Sequence, residues 1–573
     1  MGYRWVMRDA GNSGAVAALQ EQLGIPEALA RALVLRGVDT FDTARQFFRP
    51  SLNALHDPLQ MQDMPAAAQR VADAIRASEH VLIYGDYDVD GTTAVALLTH
   101  FLRARGLDVS FFIPDRFVHG YGLHEDGINK AKERGATLMI VVDCGILATR
   151  QAEIARQQTI DLIICDHHTP GDEIPQAVAV LDPKRKSCSY PFKELSACGV
   201  ALKLAQAVLM RLGQSPDDAY AYLDLVALST TCDMVPLQGE NRILVRKGLL
   251  RMREHPTRGI AALAGVAGAD LAQADTRMMG FQLGPRINAA GRMGDATRSV
   301  HLLLSKSEHE ATTLARELDA VNIKRRTLGE TIHAEAMRMA EIQIGAKIRH
   351  ALVLHKPDWH QGVLGIVATR VVQRVRRPVV VLCTANGGVK GSARSIEGVN
   401  IYDALATCRK EMDFEFGGHD YAAGVTLTED AIPAFRDRLD TAVKERMRPE
   451  LMMPALEVDA ELLLSDVQPR FWKVLRQFAP FGVQNAQPLF MARNLEVLRG
   501  SRTVGAGGRH LKMRVGQNGV AFDVIAFGQG DKLSIARSAE KSRNAIEMVF
   551  SVEENTFRGN TSLQLQARDL RAA

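Results

Sequence analysis

Short apolar runs alternate with helix-like or polar segments from residue 81 to about residue 235. VLIYGD, VSFFIP, LMIVVDCG, LIICDHH and AVAVLDP read as successive strands, and that rhythm predicts a largely parallel sheet. Residues 92–106, TTAVALLTHFLRARG, show the helical half of the pattern. Apolar positions recur at helical spacing, Thr92 or Thr93 caps the start and Gly106 ends it, giving a strand-to-helix crossover. The pattern is helical throughout residues 217–266, and residues 305–342, rich in charge and free of proline, predict a long helix bridging two lobes. A second α/β unit begins at Ala351 with ALVLHK, passes through GVLGIVATRVVQRV and PVVVLC to GSARS and GGHDYAAG, and ends near Arg448. Beyond RPELMMPA the pattern changes to short alternating strands between glycines, HLKMRV, VAFDVIAFG and TSLQLQARDL, which suggests a small barrel. The expected division is a helical leader over 1–50, a parallel-sheet domain over 51–304, a connecting helix over 305–345, a smaller α/β domain over 346–448 and the barrel over 449–573. The fold class is therefore multidomain α/β with a C-terminal barrel.

A chain of 573 residues is too long for one ordinary core. Apolar residues at 46% and charged residues at 24% match soluble globular proteins and argue against long disorder or a fibrous repeat. No run approaches the roughly 18 apolar residues of a membrane span, and the opening MGYRWVMRDAGNSG lacks the apolar stretch of a secretory signal. A soluble, cytoplasmic protein with no membrane partner is expected. The seven cysteines are scattered and form no C-x-x-C pair, so they are read as reduced thiols. The net charge of +4 is concentrated in the tail, with 16 Lys and Arg against 12 Asp and Glu from Leu456 onward and 54 against 54 before it. That mild bias is consistent with a nucleic-acid surface, although most such side chains simply solvate a face.

In VLIYGDYDVDGTT, Asp86, Asp88 and Asp90 occupy alternate positions directly after a buried strand, where a parallel sheet opens its ligand crevice. Three carboxylates this close repel one another, and a divalent cation is the simplest compensation; hard oxygen ligands suit Mg²⁺ or Mn²⁺. An acidic turn in water is the plain alternative, since Asp and Gly are ordinary turn formers. The same punctuation recurs, however: LMIVVDCG puts Asp143 at a strand end and LIICDHH puts Asp166, His167 and His168 at another. An acid beside paired histidines can orient an imidazole toward a metal. ALSTTCDMVPL adds Asp233 after an apolar helical run. Cysteines 144, 165 and 232 adjoin these acids, but two of them lie on strands, where neighbours point to opposite faces, so thiolate ligation of zinc is discounted. No Ser-His-Asp or Cys-His arrangement is legible, and GSARS lacks the second glycine of a hydrolase elbow.

Taken in order, YGDYDVDGTT, VVDCG, DHH and TCDMVP resemble the motif series of the DHH phosphoesterases, and GSARS with GGHDYAAG resembles their companion C-terminal (DHHA1) domain. The length, the LGPRINAAGRMG stretch and the barrel-like tail are similar to the single-strand-specific exonucleases within that family, and the likeness covers nearly the whole chain. It implies 5′ to 3′ hydrolysis of single-stranded DNA with two Mn²⁺ or Mg²⁺ ions, releasing 5′-mononucleotides in DNA repair and recombination. The implied ligands are Asp86, Asp88, Asp90, Asp143, His167 and Asp233, with Asp143 bridging the ions and His168 facing the scissile phosphate or steadying the ligands. Some relatives have a histidine where this chain has Tyr84, so Asp86 either takes that role or lies beyond the ligands. Ser392 and Arg394 are implied on the terminal phosphate, where a planar guanidinium suits an oxyanion. Arg116, Arg286 and Asn288 are implied near the strand path, and His360 and His419 beside the closed site. The tail becomes an oligonucleotide/oligosaccharide-binding (OB) barrel, with Arg509, Lys512 and Arg514 for phosphates and Phe522 or Phe527 for stacking, although strand aromatics more often fill a core. A single-strand-binding protein and a helicase are family-level partners. The competing readings are a phosphodiesterase for short oligonucleotides or cyclic dinucleotides, a pyrophosphatase, and a scaffold that binds strands without cutting them.

Overall fold

The computed structural model describes residues 2–346, 349–385, 387–557 and 559–573. The chain forms two compact units: one holds Met1–Leu55, Pro236–Arg246 and Pro454–Ala573, the other His56–Val235 and Lys247–Met453.

In the second unit five parallel strands lie in the order Asp108–Phe112, His80–Gly85, Leu138–Val142, Asp161–Cys165, Ala179–Leu181. The middle three are apolar runs almost wholly buried, as strands covered on both faces must be. The chain order reverses about His80–Gly85, whose neighbours are the next strand on one side and the one after that on the other. Such a switch point parts the following loops and opens a crevice at the strands' carboxyl ends.

The helix after the first strand begins at Val89, one turn earlier than the sequence pattern predicts, and runs to Arg103. Its cap is Asp88, whose Oδ1 accepts from the N–H of Asp90 (2.9 Å) and Gly91 (3.2 Å). The hydroxyls of Thr92 and Thr93 instead donate back to the carbonyls of Asp88 and Val89. Gly91 is required by close approach: a Cβ there would stand 2.6 Å from the backbone nitrogen of Asp86.

Residues 217–266 are helical apart from short turns, and LGPRINAAGRMG lies largely within a helix, Gly284–Met293, entered through a π-turn, Met279–Leu283. A 39-residue helix, Glu308–Ala346, follows, burying Ala311, Ala315, Leu318, Asn322, Gly329, Ile332, Ala336 and Ala340, a one-sided stripe at helical spacing. It leads to a five-stranded mixed sheet ordered Glu415–His419, Ala422–Leu427, Gly388–Arg394, Val379–Ala385, Leu352–His355.

The first unit is built on a closed barrel. Strands Phe490–Val504, His510–Gln517, Val520–Ala526, Asn560–Ala572 and Ile546–Phe557 pair in that order, and the last returns to the first. The segment expected as a helical leader lies in the same unit as the barrel. Strand Arg4–Met7 pairs in parallel with Ala455–Val458, and Leu19, Leu29, Leu33 and Phe47 from the first three helices share one core with Phe471, Phe478, Phe490 and Phe550. Short amphipathic helices cannot bury their stripes alone, and the barrel supplies the missing face. Arg242 completes this core: its buried guanidinium donates to the carbonyls of Phe47, Phe478, Gln477 and Ala479 and lies 3.7 Å over the Phe47 ring. Burial pulls its pKa down to about 9. No helix among the described residues is long and apolar enough to cross a membrane.

Replacing Arg242 with Met takes a donor from four carbonyls, of which Phe478 and Ala479 keep a second one in Asn485 and Arg246, and we expect the barrel to lose about 3 kcal/mol of stability. Hydrogen exchange will show this as faster opening of amides in Phe490–Val504, with those of Leu138–Val142 unchanged.

Candidate metal centre and strand-binding cleft

The carboxyl ends of three adjacent strands deliver the predicted acids to one place. Asp86, Asp88 and Asp90 follow His80–Gly85, Asp143 follows Leu138–Val142, and Asp166, His167 and His168 follow Asp161–Cys165. Asp233 arrives from the end of the helix Leu223–Cys232. Three overlapping trios result: Asp86, Asp88 and Asp143; Asp143, His167 and His168; and Asp90, His167 and Asp233, with the offered atoms of each trio within 4.8 Å of one another. Asp143 and His167 each belong to two trios, so the cluster has the form of adjoining cation pockets with shared walls.

Several features fit a cation. Nε2 of His167 lies 3.2 Å from Asp143 and 3.6 Å from both Asp90 and Asp233, yet both ring nitrogens are buried without a hydrogen-bond partner. Oδ1 of Asp86 is buried and unpartnered in the same way. Buried polar atoms are nearly always satisfied, so orphans clustered among acids suit a metal. Asp143 adopts a left-handed backbone, φ 63°, uncommon for a residue with a side chain and characteristic of functional sites. The three carboxylates of the first motif are not equivalent. Asp90 is gripped by the N–H groups of Ala197 and Cys198 and by the Ser229 hydroxyl, at 2.6–2.8 Å, whereas Asp86 keeps a free oxygen. Ser229 is a contributor that the sequence pattern did not single out.

Burial and mutual repulsion drive the acids toward their protonated forms. Asp143, buried among Asp90, Asp88, Asp86 and Asp233, is pushed well above the usual carboxylate range, as is Asp86. Asp233 rises from 3.8 to about 9 through burial and then the charges of Asp90 and Asp88. Asp166 goes the other way: although burial opposes its charge, hydrogen bonding to His168 and the neighbouring imidazoles hold it at about 2. It accepts from the N–H of Ile146, His167 and His168 and pairs with Nδ1 of His168 at 2.7 Å, which fixes the loop and the His168 ring. His168 rises to about 9: burial works against the shift and the Asp166 pairing outweighs it. No cysteine joins these trios among the described residues, and burial pushes the Cys144, Cys165 and Cys232 thiols up, which keeps them protonated.

Around the acids lies a group of arginines. The Arg116 guanidinium sits 4.0 Å over the Tyr87 ring, and its Nε is buried without a partner. Arg394 donates to the Ser392 hydroxyl at 2.8 Å, so the two predicted phosphate ligands form one unit, packed against Gly365. Arg292, absent from the predicted set, is largely buried, and its pKa falls to about 10, first by burial and then by Arg116, with Arg325 and Arg394 adding to the repulsion and Asp88 opposing it. Guanidiniums that form no ion pair with a carboxylate among the described residues, collected beside a metal-binding cluster, are suited to a polyanion. The signal for Arg292 was its place in GRMG, six residues beyond Arg286.

Arg286 and Asn288 are engaged within the protein: Arg286 pairs with Asp319 of the long helix at 2.9 Å, and Oδ1 of Asn288 accepts from the N–H of Val89 at 3.2 Å. His360 accepts from the N–H of Gly362 and packs edge-on against Phe117, and a Cβ on Gly362 would run into the Arg292 carbonyl oxygen. His419 is exposed on an edge strand, two strands from Arg394 in the same cross-strand row. In the barrel Lys512 and Arg514 alternate along one strand and so share a face, with Arg502 paired to Lys512; Arg509 immediately precedes that strand. Phe522 packs on the core while Phe527 is 54% exposed, which separates the two stacking candidates. The sequence showed no serine–histidine–aspartate set, yet His80 bonds Asp108 and Ser110 at 2.8 Å each. Register between parallel neighbours creates this trio at the sheet's amino end, away from the acids, where it ties two strands together.

Comparison with known proteins gives three family matches: the DHH family N-terminal domain over residues 80–230, the DHHA1 domain over 345–445 and the RecJ OB domain over 458–569. The single-stranded-DNA-specific exonuclease RecJ of Bacillus subtilis is 40% identical over 518 residues, 90% of this chain and 65% of that longer protein. The protein of the same name from Salmonella typhimurium is 36% identical over 565 residues, 95% of this chain and 96% of its own. The crystal structure of RecJ in complex with Mn²⁺ from Thermus thermophilus covers the whole of this chain and 79% of its own, with 29% identity and a TM-score of 0.83; its Mg²⁺ counterpart gives 28% and 0.76.

In the metal-free protein the raised carboxyls keep protons that the unfolded chain has released. Their stabilising contribution is therefore complete below the ordinary 3.8 and is lost as pH climbs through about 9, the value for Asp233. A cation must displace those protons. We expect Mn²⁺ binding near pH 7 to release protons, read by calorimetry in buffers of different ionisation enthalpy, and to tighten as pH rises. Binding without proton release contradicts the site.

Proposed function

This chain belongs to the RecJ family of single-stranded-DNA-specific exonucleases, and from that premise we propose that it removes 5′-mononucleotides from the 5′ end of single strands. It is a metal-dependent exonuclease, and the division of labour follows its segments: the parallel-sheet domain hydrolyses, the smaller α/β domain holds the strand end and the barrel binds single-stranded DNA. The observation that carries the reading is the juxtaposition of the acid and histidine trios with Arg116, Arg292 and Arg394. One group suits two cations and the other a phosphate chain.

In this proposal Asp86, Asp88, Asp90, Asp143, His167 and Asp233 would hold two Mn²⁺ or Mg²⁺ ions, Asp143 being a member of two of the trios. Bound there, such ions supply Lewis-acid stabilisation of phosphoryl charge and lower the pKa of water. Asp166 fixes His168, whose ring faces the scissile phosphate. Ser392 and Arg394 bind the terminal phosphate through a hydroxyl and a planar fork, which sets how far the strand enters and so limits the product to one nucleotide. Arg116 and Arg292 carry the phosphates that follow, with His360 and His419 at the rim. Arg286 and Asn288 act by holding their helix against the long helix and the first motif. The barrel contributes Lys512, Arg514 and the exposed ring of Phe527, a basic strand with a stacking platform. A cytoplasmic setting fits this activity, with a helicase and a single-strand-binding protein as the partners that would supply and hold single strands.

Digestion of single strands labelled at either end tests substrate and polarity together. A 5′ label should appear at once as mononucleotide while a 3′-labelled strand shortens gradually, and duplex should resist. Faster turnover of a dinucleotide than of the strand would overturn the reading in favour of a short-oligonucleotide phosphodiesterase. Asp143→Ala removes the residue shared by two trios, and we expect hydrolysis to fall at least about 1,000-fold while strand affinity, carried by arginines and the barrel, changes less than about threefold in a filter-binding assay.

A further inference from the structure

Tyr84 does not enter the acid cluster. Its side chain is fully buried, its ring stacks on Phe112 with centroids 5.6 Å apart, and its hydroxyl donates to the carbonyl oxygen of Gly122 at 2.7 Å. The helix Glu125–Glu133 closes over the ring at Gly127, where a Cβ would stand 2.6 Å from the tyrosine Cδ2. The ring therefore has no room to turn, and Tyr84 is a fixed post in the sheet. What it holds is a swivel. Gly120 (φ 79°) and Gly122 (φ 107°) both adopt backbone that favours glycine, and Tyr121 stands between them.

Tyr121 reaches the metal centre. Its ring is half exposed and edge-on to His168, centroids 5.5 Å apart, and its hydroxyl donates to the carbonyl oxygen of Asp143 at 3.3 Å while lying 3.1 and 3.3 Å from the two His168 ring nitrogens. His168 is thus held from two sides, by Asp166 at Nδ1 and by the Tyr121 hydroxyl at Nε2. The Asp166 side is set by neighbouring strand ends, but the Tyr121 side depends on a residue flanked by glycines, whose backbone is tied to the sheet through Gly122 by the Tyr84 hydroxyl and held beside it by His124.

We infer that Tyr84 is a positioning residue for hydrolysis, acting through Gly122 to hold Tyr121 against His168 and the Asp143 carbonyl. Deleting the hydroxyl frees the swivel and lets His168 lose its second support, without removing any group that touches the strand. The effect belongs in turnover rather than in binding, because the arginines that hold phosphate are anchored elsewhere.

The inference rests on the exonuclease reading of the site, and a double-mutant cycle with a second, substrate-free measurement tests the two separately. Tyr84→Phe should lower kcat on single-stranded DNA about fivefold with KM within about twofold of wild type. In a Tyr121→Phe background the same change should cost less than about 1.5-fold, because the support it acts through is already gone, while its effect on unfolding temperature is equal in both backgrounds. In protein labelled with 3-fluorotyrosine, the Tyr121 resonance, assigned by its loss in Tyr121→Phe, should shift or broaden in Tyr84→Phe. An unmoved Tyr121 resonance, or equal kcat losses in the two backgrounds, overturns the tether. A wild-type enzyme that leaves single strands intact ends the exonuclease reading instead, and the fluorine measurement still decides whether Tyr84 holds Tyr121.

Discussion

Like charges forced together at the ends of parallel strands govern the rest of this molecule. Asp86, Asp88, Asp90, Asp143 and Asp233 converge where the sheet reverses its order, and burial removes the water that would screen them. Left to themselves, Asp86, Asp90, Asp143 and Asp233 take up protons. The surrounding protein nevertheless holds the carboxylates in place, with backbone N–H groups and Ser229 on Asp90 and an unusual backbone at Asp143. Stability is given up locally to keep a site whose natural partner is a doubly charged cation.

The same repulsion, with the opposite sign, marks the arginine side. Burial and then the charges of Arg116, Arg325 and Arg394 depress the affinity of Arg292 for protons, and Asp88 is the counter-charge that opposes them. A chain of phosphates would relieve that excess as cations would relieve the acids. Glycines set the distances between the two. Gly91 lets the first helix pass close under Asp86, and Gly362 lets the smaller α/β domain approach Arg292. These are contacts of backbone with backbone, for which a single methyl group is too large.

In the other unit the organising constraint is different. A barrel and a set of short helices that are far apart in sequence share one apolar core, and a single buried guanidinium, Arg242, satisfies the carbonyls where their segments meet. Burying that charge is costly, which its depressed pKa records, but it serves the carbonyls of Phe47 and Gln477 and shares those of Phe478 and Ala479 with Asn485 and Arg246.

Strand-end acids were legible because a buried parallel strand is an unbroken apolar run, so a carboxylate directly after it has a determined address: Asp86, Asp143 and the Asp166-His167-His168 triplet could be placed at one edge before any coordinates. The long helix was equally plain from its charge, length and lack of proline. Strand Phe490–Val504 and the helix Leu533–Ser542 were not legible because their apolar positions are interrupted by exposed polar ones. What only the tertiary structure decided were relations between residues distant in sequence. It joined strand Arg4–Met7 to Ala455–Val458 some 450 residues away, brought Ser229 onto Asp90 across 139, and spent Arg286 on Asp319 while setting Arg292 among Arg116, Arg325 and Arg394. Local pattern fixes which face of an element is buried and where it ends, since that depends on neighbours along the chain. Which charge meets which counter-charge depends on packing between elements, and no periodicity records it.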